Sequence, residues 1–216
     1  MVNTEFVCFI SACGGSGCTS ASRARGGILL KLCKKRVLVL SLDRLGSKLS
    51  PASALKDHGS FIPSGLRCGP GNKFTFALET CRDDLGVTYI YSGDGLSPLH
   101  DLGRKELMSM LEAISLSESF DTVILDIPYQ LKGSERLALC CEKVVLVTGY
   151  LDAQKKHADA FRRYMEDLAS SMDERPELFV FDPSEDSESF TDGEVDIHDQ
   201  FGAEVRILAD ELYGAS

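Results

Sequence analysis

Six short apolar runs punctuate this chain of 216 residues: FVCFI (6–10), RVLVLSL (36–42), VTYIY (87–91), TVILDI (122–127), KVVLVT (143–148) and LFVF (178–181). They are almost continuously apolar rather than alternating, as strands covered on both faces of a parallel sheet must be. Between them apolar residues recur at helical spacing. A helix is expected over about 18–33, another around Leu107, Leu111 and Ile114, and a third around Phe161, Met165, Leu168 and Met172. Strand and helix in alternation predict an α/β fold of three layers, a mostly parallel twisted sheet with helices on both faces. The length suits a single domain over 1–216, with no repeat and no linker dividing it.

In such a sheet, ligands gather where the carboxyl ends of the strands deliver their loops. The loop after the first run reads CGGSGCTS (13–20) and leads directly into the first expected helix. Glycines at 14, 15 and 17 let main-chain N–H groups approach an anion, and the helix start adds partial positive charge. Thr19 is placed to offer a hydroxyl to Mg²⁺. By itself the loop fits a purely structural glycine turn as well, because the lysine of a phosphate loop is replaced by Cys18.

Two carboxylates bear on that choice. The run ending in Asp126 and the run ending in Asp43 each place an acid at a strand terminus. A phosphate-bound Mg²⁺ needs acids there. Either Asp alone is more simply a helix cap or turn former, but a glycine loop and two strand-end acids in this order point to a nucleotide site.

The order resembles the MinD/ParA group of P-loop ATPases, whose deviant Walker A reads K-G-G-x-G-K-[ST]. It is most similar to the CpaE/TadZ branch, linked to assembly of tight-adherence (Flp-type) pili, whose members can carry CGG-x-G followed by small residues. LSLDRLGS (40–47) is also similar to that branch's segment after the second strand. The resemblance covers about residues 5–150. It implies a P-loop NTPase-like fold, ATP and Mg²⁺ as cofactors, a homodimer, partners among pilus or secretion assembly proteins, and a cytoplasmic location. It also implies roles. Cys13, Gly14, Gly15, Ser16, Gly17, Cys18, Thr19 and Ser20 would form the phosphate loop, with Thr19 and Asp126 (the Walker B position) on Mg²⁺. Asp43 would orient the attacking water beside the metal, and Asp182 would stand where relatives read adenine with Asn.

The departures from the pattern decide the expected mechanism. Both lysines are absent, replaced by Cys13 and Cys18, and Ser41 stands at an acid common in ParA relatives. A protonated thiol brings no positive charge to a triphosphate, and a thiolate would repel it. A charge-assisted hydrogen bond contributes about 1.5–3 kcal/mol. Losing two removes on the order of 3–6 kcal/mol, more from the transition state than from the ground state, so turnover is expected to fall by roughly 10² to 10⁴. A nucleotide-holding scaffold with weak or no hydrolysis is the expectation. The alternatives are a protein-binding pseudo-ATPase with an empty loop, or an ATPase using a substitute cation. Arg23, Arg25 and Lys48 are the nearest substitutes; the arginines lie more than a turn into the helix, and all three are expected to be solvated.

Composition narrows the partners. With 33 acids against 23 bases the net charge is −10, which opposes binding to nucleic acid or to an anionic membrane surface. No apolar stretch is long enough for membrane insertion, and the amino terminus lacks a basic start and cleavage site. There is no C-x-x-C pattern, so Cys8, Cys33, Cys68, Cys81, Cys140 and Cys141 are expected to be reduced thiols, mostly small core residues, and the histidines show no zinc spacing. Residues 182–199 carry eight acids and no Lys or Arg. They read as a solvated surface loop or as an acidic docking surface for a basic partner.

Overall fold

The computed structural model describes residues 4–31, 33–42, 56–61, 78–82, 87–90, 104–129, 131–149, 151–173 and 175–183, together with Val205, Ile207, Leu208 and Leu212. All six apolar runs are strands: β1 (Glu5–Ser11), β2 (Val37–Ser41), β5 (Thr88–Ile90), β6 (Thr122–Ile127), β7 (Lys143–Val147) and β8 (Glu177–Phe181). Two more, β3 (Lys56–Phe61) and β4 (Leu78–Arg82), complete a sheet ordered β3-β4-β5-β2-β6-β1-β7-β8. The stretch from β5 to β8 is parallel throughout, while β4 runs antiparallel to both β3 and β5. KDHGSF and LETCR lack the continuous apolar character that marks the other strands, so neither carries a strand signal; polar sequence suits β3, which lies at the sheet edge.

The period of two along each strand sorts the core onto two faces. Cys8 and Ile10 of β1, Leu38 and Leu40 of β2, Val123, Leu125 and Ile127 of β6, and Val144 and Leu146 of β7 share one buried cluster. The helices α2 (Arg104–Leu116), α3 (Ser134–Ala138) and α4 (Asp152–Ser170) pack on that side through Leu107, Met110, Ile114, Leu137 and Met165. Val7, Phe9, Val37, Val39, Ile124, Val145 and Val147 face the other way, against α1 (Cys18–Lys31) and Val205, Leu208 and Leu212. The fold is therefore the expected three-layer arrangement, P-loop NTPase-like, with helices on both faces.

α1 is buried without a break from Ala21 to Leu29. This corrects the expectation for the two arginines: Arg23 is 7% exposed and Arg25 is fully buried. The reason lies in tertiary packing, since the helix is covered on the side away from the sheet as well as toward it. Gly26 marks its closest approach to the sheet side, where an added Cβ would lie 3.1 Å from Val87 Cγ1 and 3.3 Å from Val39 Cγ2. Both valines are fully buried and cannot swing aside. Gly26→Val is expected to lower stability by about 1–3 kcal/mol through overpacking, measured as a lower urea midpoint at unchanged slope.

The strand order places the site. The chain leaves β1 toward β2 on one side, and later steps from β6 to β7 across β1. That reversal beside β1 opens a crevice at the carboxyl ends of the strands. Among the described residues no helix is long and apolar enough to cross a membrane.

Candidate phosphate-loop site

The glycine loop follows β1 at the crevice, as expected. Gly15 and Gly17 sit at φ +72° and +83°, with Ser16 between them at negative φ and buried. Alternation of this kind makes successive N–H groups converge on a concavity suited to an anion. Only glycine takes such angles without strain. Ser11 Oγ steadies the entry by donating to the Cys13 carbonyl at 2.9 Å, and the N–H of Ala21 closes the first helical turn on Gly17 at 2.8 Å.

Beyond the loop, β6 delivers Asp126 in register between Phe9 of β1 and Ser41 of β2. Asp126 and Ser41 share the strand parity of Ile124 and Val39, so both point to the face that carries α1. There Asp126 Oδ2 accepts Thr19 Oγ1 at 2.9 Å and Ser41 Oγ at 3.1 Å. Cys18, which opens α1, lies close enough to the same carboxylate to feel its charge. Asp126 is 3% exposed. A carboxylate that deep is costly without hydrogen-bond donors, and these two hydroxyls supply them to Oδ2.

The two loop cysteines are neutral. Burial, then the neighbouring Asp126 carboxylate, push the Cys18 thiol well above its usual range; burial also raises Cys13. Neither supplies charge of either sign to a phosphate near neutral pH. Of the other described cysteines, Cys8 and Cys141 are buried, but Cys33 and Cys140 are exposed, against the expectation of core positions; all are free thiols. Cys68 and the side chain of Cys81 lie outside the described residues.

Among the described residues no group of three or more His, Cys, Asp or Glu could hold a metal ion. Thr19 and Asp126 are hard oxygen donors at adjacent positions, which fits Mg²⁺, an ion that takes one or two protein ligands and completes its shell with phosphate and water. The residues present therefore suit Mg²⁺ arriving with a phosphate. Asp43 and Lys48 fall outside the described residues, as does the acidic segment beyond Pro183. Asp182 closes β8 on the same sheet edge, where its Oδ1 accepts Thr148 Oγ1 at 2.7 Å and pairs with Lys155 Nζ at 3.5 Å.

Two side chains at the loop were not anticipated. The Tyr129 ring, 45% exposed, covers Gly14 so closely that an added Cβ would lie 3.0 Å from Cε1. Gln154, in the first turn of α4, donates from Nε2 to the Gly14 carbonyl at 3.2 Å. Neither has a local sequence signal. Both reach the loop because β6 and β7 flank β1, a consequence of strand order alone.

No family model and no curated protein sequence matches the chain. Solved structures do. The chain is similar to a ParA family ATPase from Chlorobium tepidum TLS (TM-score 0.58, 14% identity, covering 84% of this chain and 74% of that one). It is also similar to cobyrinic acid a,c-diamide synthase from Mycobacterium smegmatis with bound ATP analog and magnesium (TM-score 0.56, 18% identity, 99% and 80%). A third is the MinD cell division protein of Aquifex aeolicus (TM-score 0.54, 20% identity, 83% and 69%). At such identities the likeness establishes the fold, that of the ParA and MinD P-loop ATPases.

Proposed function

We propose that the protein is a nucleotide-binding assembly or positioning factor that holds Mg-ATP and hydrolyses it weakly or not at all. The observation carrying this reading is the placement of Thr19 against Asp126, 2.9 Å apart at the lip of a loop with two positive-φ glycines. The loop supplies main-chain donors for phosphate, the α1 terminus supplies partial positive charge, and Thr19 with Asp126 would hold Mg²⁺. A bound Mg²⁺ would neutralise phosphate charge there. Binding draws on all of these, whereas hydrolysis also needs cations at the transferring phosphate that Cys13 and Cys18 do not provide. Solved structures of this fold with an ATP analog and magnesium support the choice of ligand.

The finer assignment follows the sequence resemblance: a CpaE/TadZ-type protein serving pilus or secretion machinery, acting as a homodimer from the cytoplasm, with Asp43 orienting water and Asp182 near the base. A second reading is favoured by one feature. Asp126 already accepts Thr19 and Ser41, as it would in a scaffold whose loop stays empty.

Thermal unfolding separates the two readings. With Mg-ATP at about a hundred times its Kd, ligand linkage contributes about 2.7 kcal/mol, a rise of about 5–10 °C for a chain of this size. Phosphate release should stay at or near the buffer level. Absence of any shift at millimolar Mg-ATP rejects the nucleotide reading and leaves the empty scaffold.

A further inference from the structure

Gln154 joins α4 to the glycine loop through both ends of its amide. Oε1 accepts the Leu151 N–H at 3.1 Å, which fixes the other end as nitrogen, and Nε2 then donates to the Gly14 carbonyl at 3.2 Å. The neighbouring backbone is shaped around this side chain. A Cβ on Gly149, whose φ is +83°, would fall 2.6 Å from Oε1. Gly14 is also covered by the Tyr129 ring. The Gly14–Gly15 peptide is thus gripped between an aromatic ring and an amide.

That grip has a directional consequence. Across a trans peptide the C=O and the following N–H point opposite ways. With the Gly14 carbonyl held toward α4, the Gly15 N–H is turned away from α4. We propose that Gln154 is a positioning residue for the anion loop, one that fixes the Gly14–Gly15 peptide so that the Gly15 N–H faces the phosphate concavity. The loop is then ordered from outside by an amide, where a lysine would order it from within. Preorganised donors lose less on binding than donors that must first be aligned. This inference rests on the reading of the loop as an anion site.

Two variants of the full chain test it. Gln154→Glu keeps an oxygen for the Leu151 N–H but removes the donor to Gly14. Gly149→Ala drives the amide off its seat by a different route. In hydrogen–deuterium exchange without ligand, both should speed exchange across residues 11–20 by about fivefold or more, with the middle of α4 and β7 unchanged. The Kd for Mg-ATP should rise about five- to tenfold in Gly149→Ala, as expected for loss of one hydrogen bond, and further in Gln154→Glu, whose carboxylate also repels the phosphate. Loop exchange equal to that of the parent, or acceleration spread evenly through α4, overturns the proposal. A parent that binds no Mg-ATP overturns the nucleotide reading instead; the exchange result then decides by itself whether Gln154 orders the loop.

Discussion

Asp126→Asn should leave the ligand-free protein melting within about 3 °C of the parent, yet erase the part of the Mg-ATP shift that depends on magnesium. The asparagine oxygen can still accept the Thr19 and Ser41 hydroxyls that now meet Asp126 at 2.9 and 3.1 Å. What it loses is the negative charge, the property a hard divalent ion requires. Asp126→Ala should behave differently. It removes the shared acceptor and strands two hydroxyls in a buried place, a loss of about 2–3 kcal/mol, or about 5–10 °C. Scanning calorimetry of both variants, with ATP in magnesium and in EDTA, makes the comparison. If Asp126→Asn keeps the full magnesium-dependent rise, Asp126 is a structural hub and not a metal ligand.

Cys18→Lys should tighten binding of Mg-ATP by about 10- to 100-fold. The residue opens α1 beside Asp126, so an ammonium there gains a carboxylate partner as well as the phosphate. One charge-assisted hydrogen bond contributes about 1.5–3 kcal/mol, and each 1.4 kcal/mol is about tenfold. Isothermal titration gives the ratio directly. A change of less than about twofold would mean that position 18 does not face the ligand. Binding gained from an undetectable baseline would establish the parent as an empty scaffold.

The parallel core of the sheet was legible because strands buried on both faces leave continuous apolar runs, and TVILDI is a strand over the same residues that the sequence marks. The outermost strand KDHGSF and its neighbour LETCR were not, since antiparallel pairing of polar strands rests on main-chain bonds that no side-chain pattern reports. The loop and Asp126 were readable for a related reason: chemistry at a strand end lies close in sequence to the strand. Gln154 and Tyr129 arrive from separate crossovers, 140 residues from their contact in the case of Gln154 and Gly14. The burial of Arg23 and Arg25 was misjudged because charge predicts solvent only when a helix keeps an outer side.

That missing outer side bears on how firmly the glycine loop is mounted. A rod embedded in packing along nine consecutive residues, Ala21 to Leu29, has no free flank on which to roll or slide. α1 is thus a fixed footing for the glycine loop that runs into it, whereas α4, which reaches the same loop through its amide bridge, turns its opposite side to solvent.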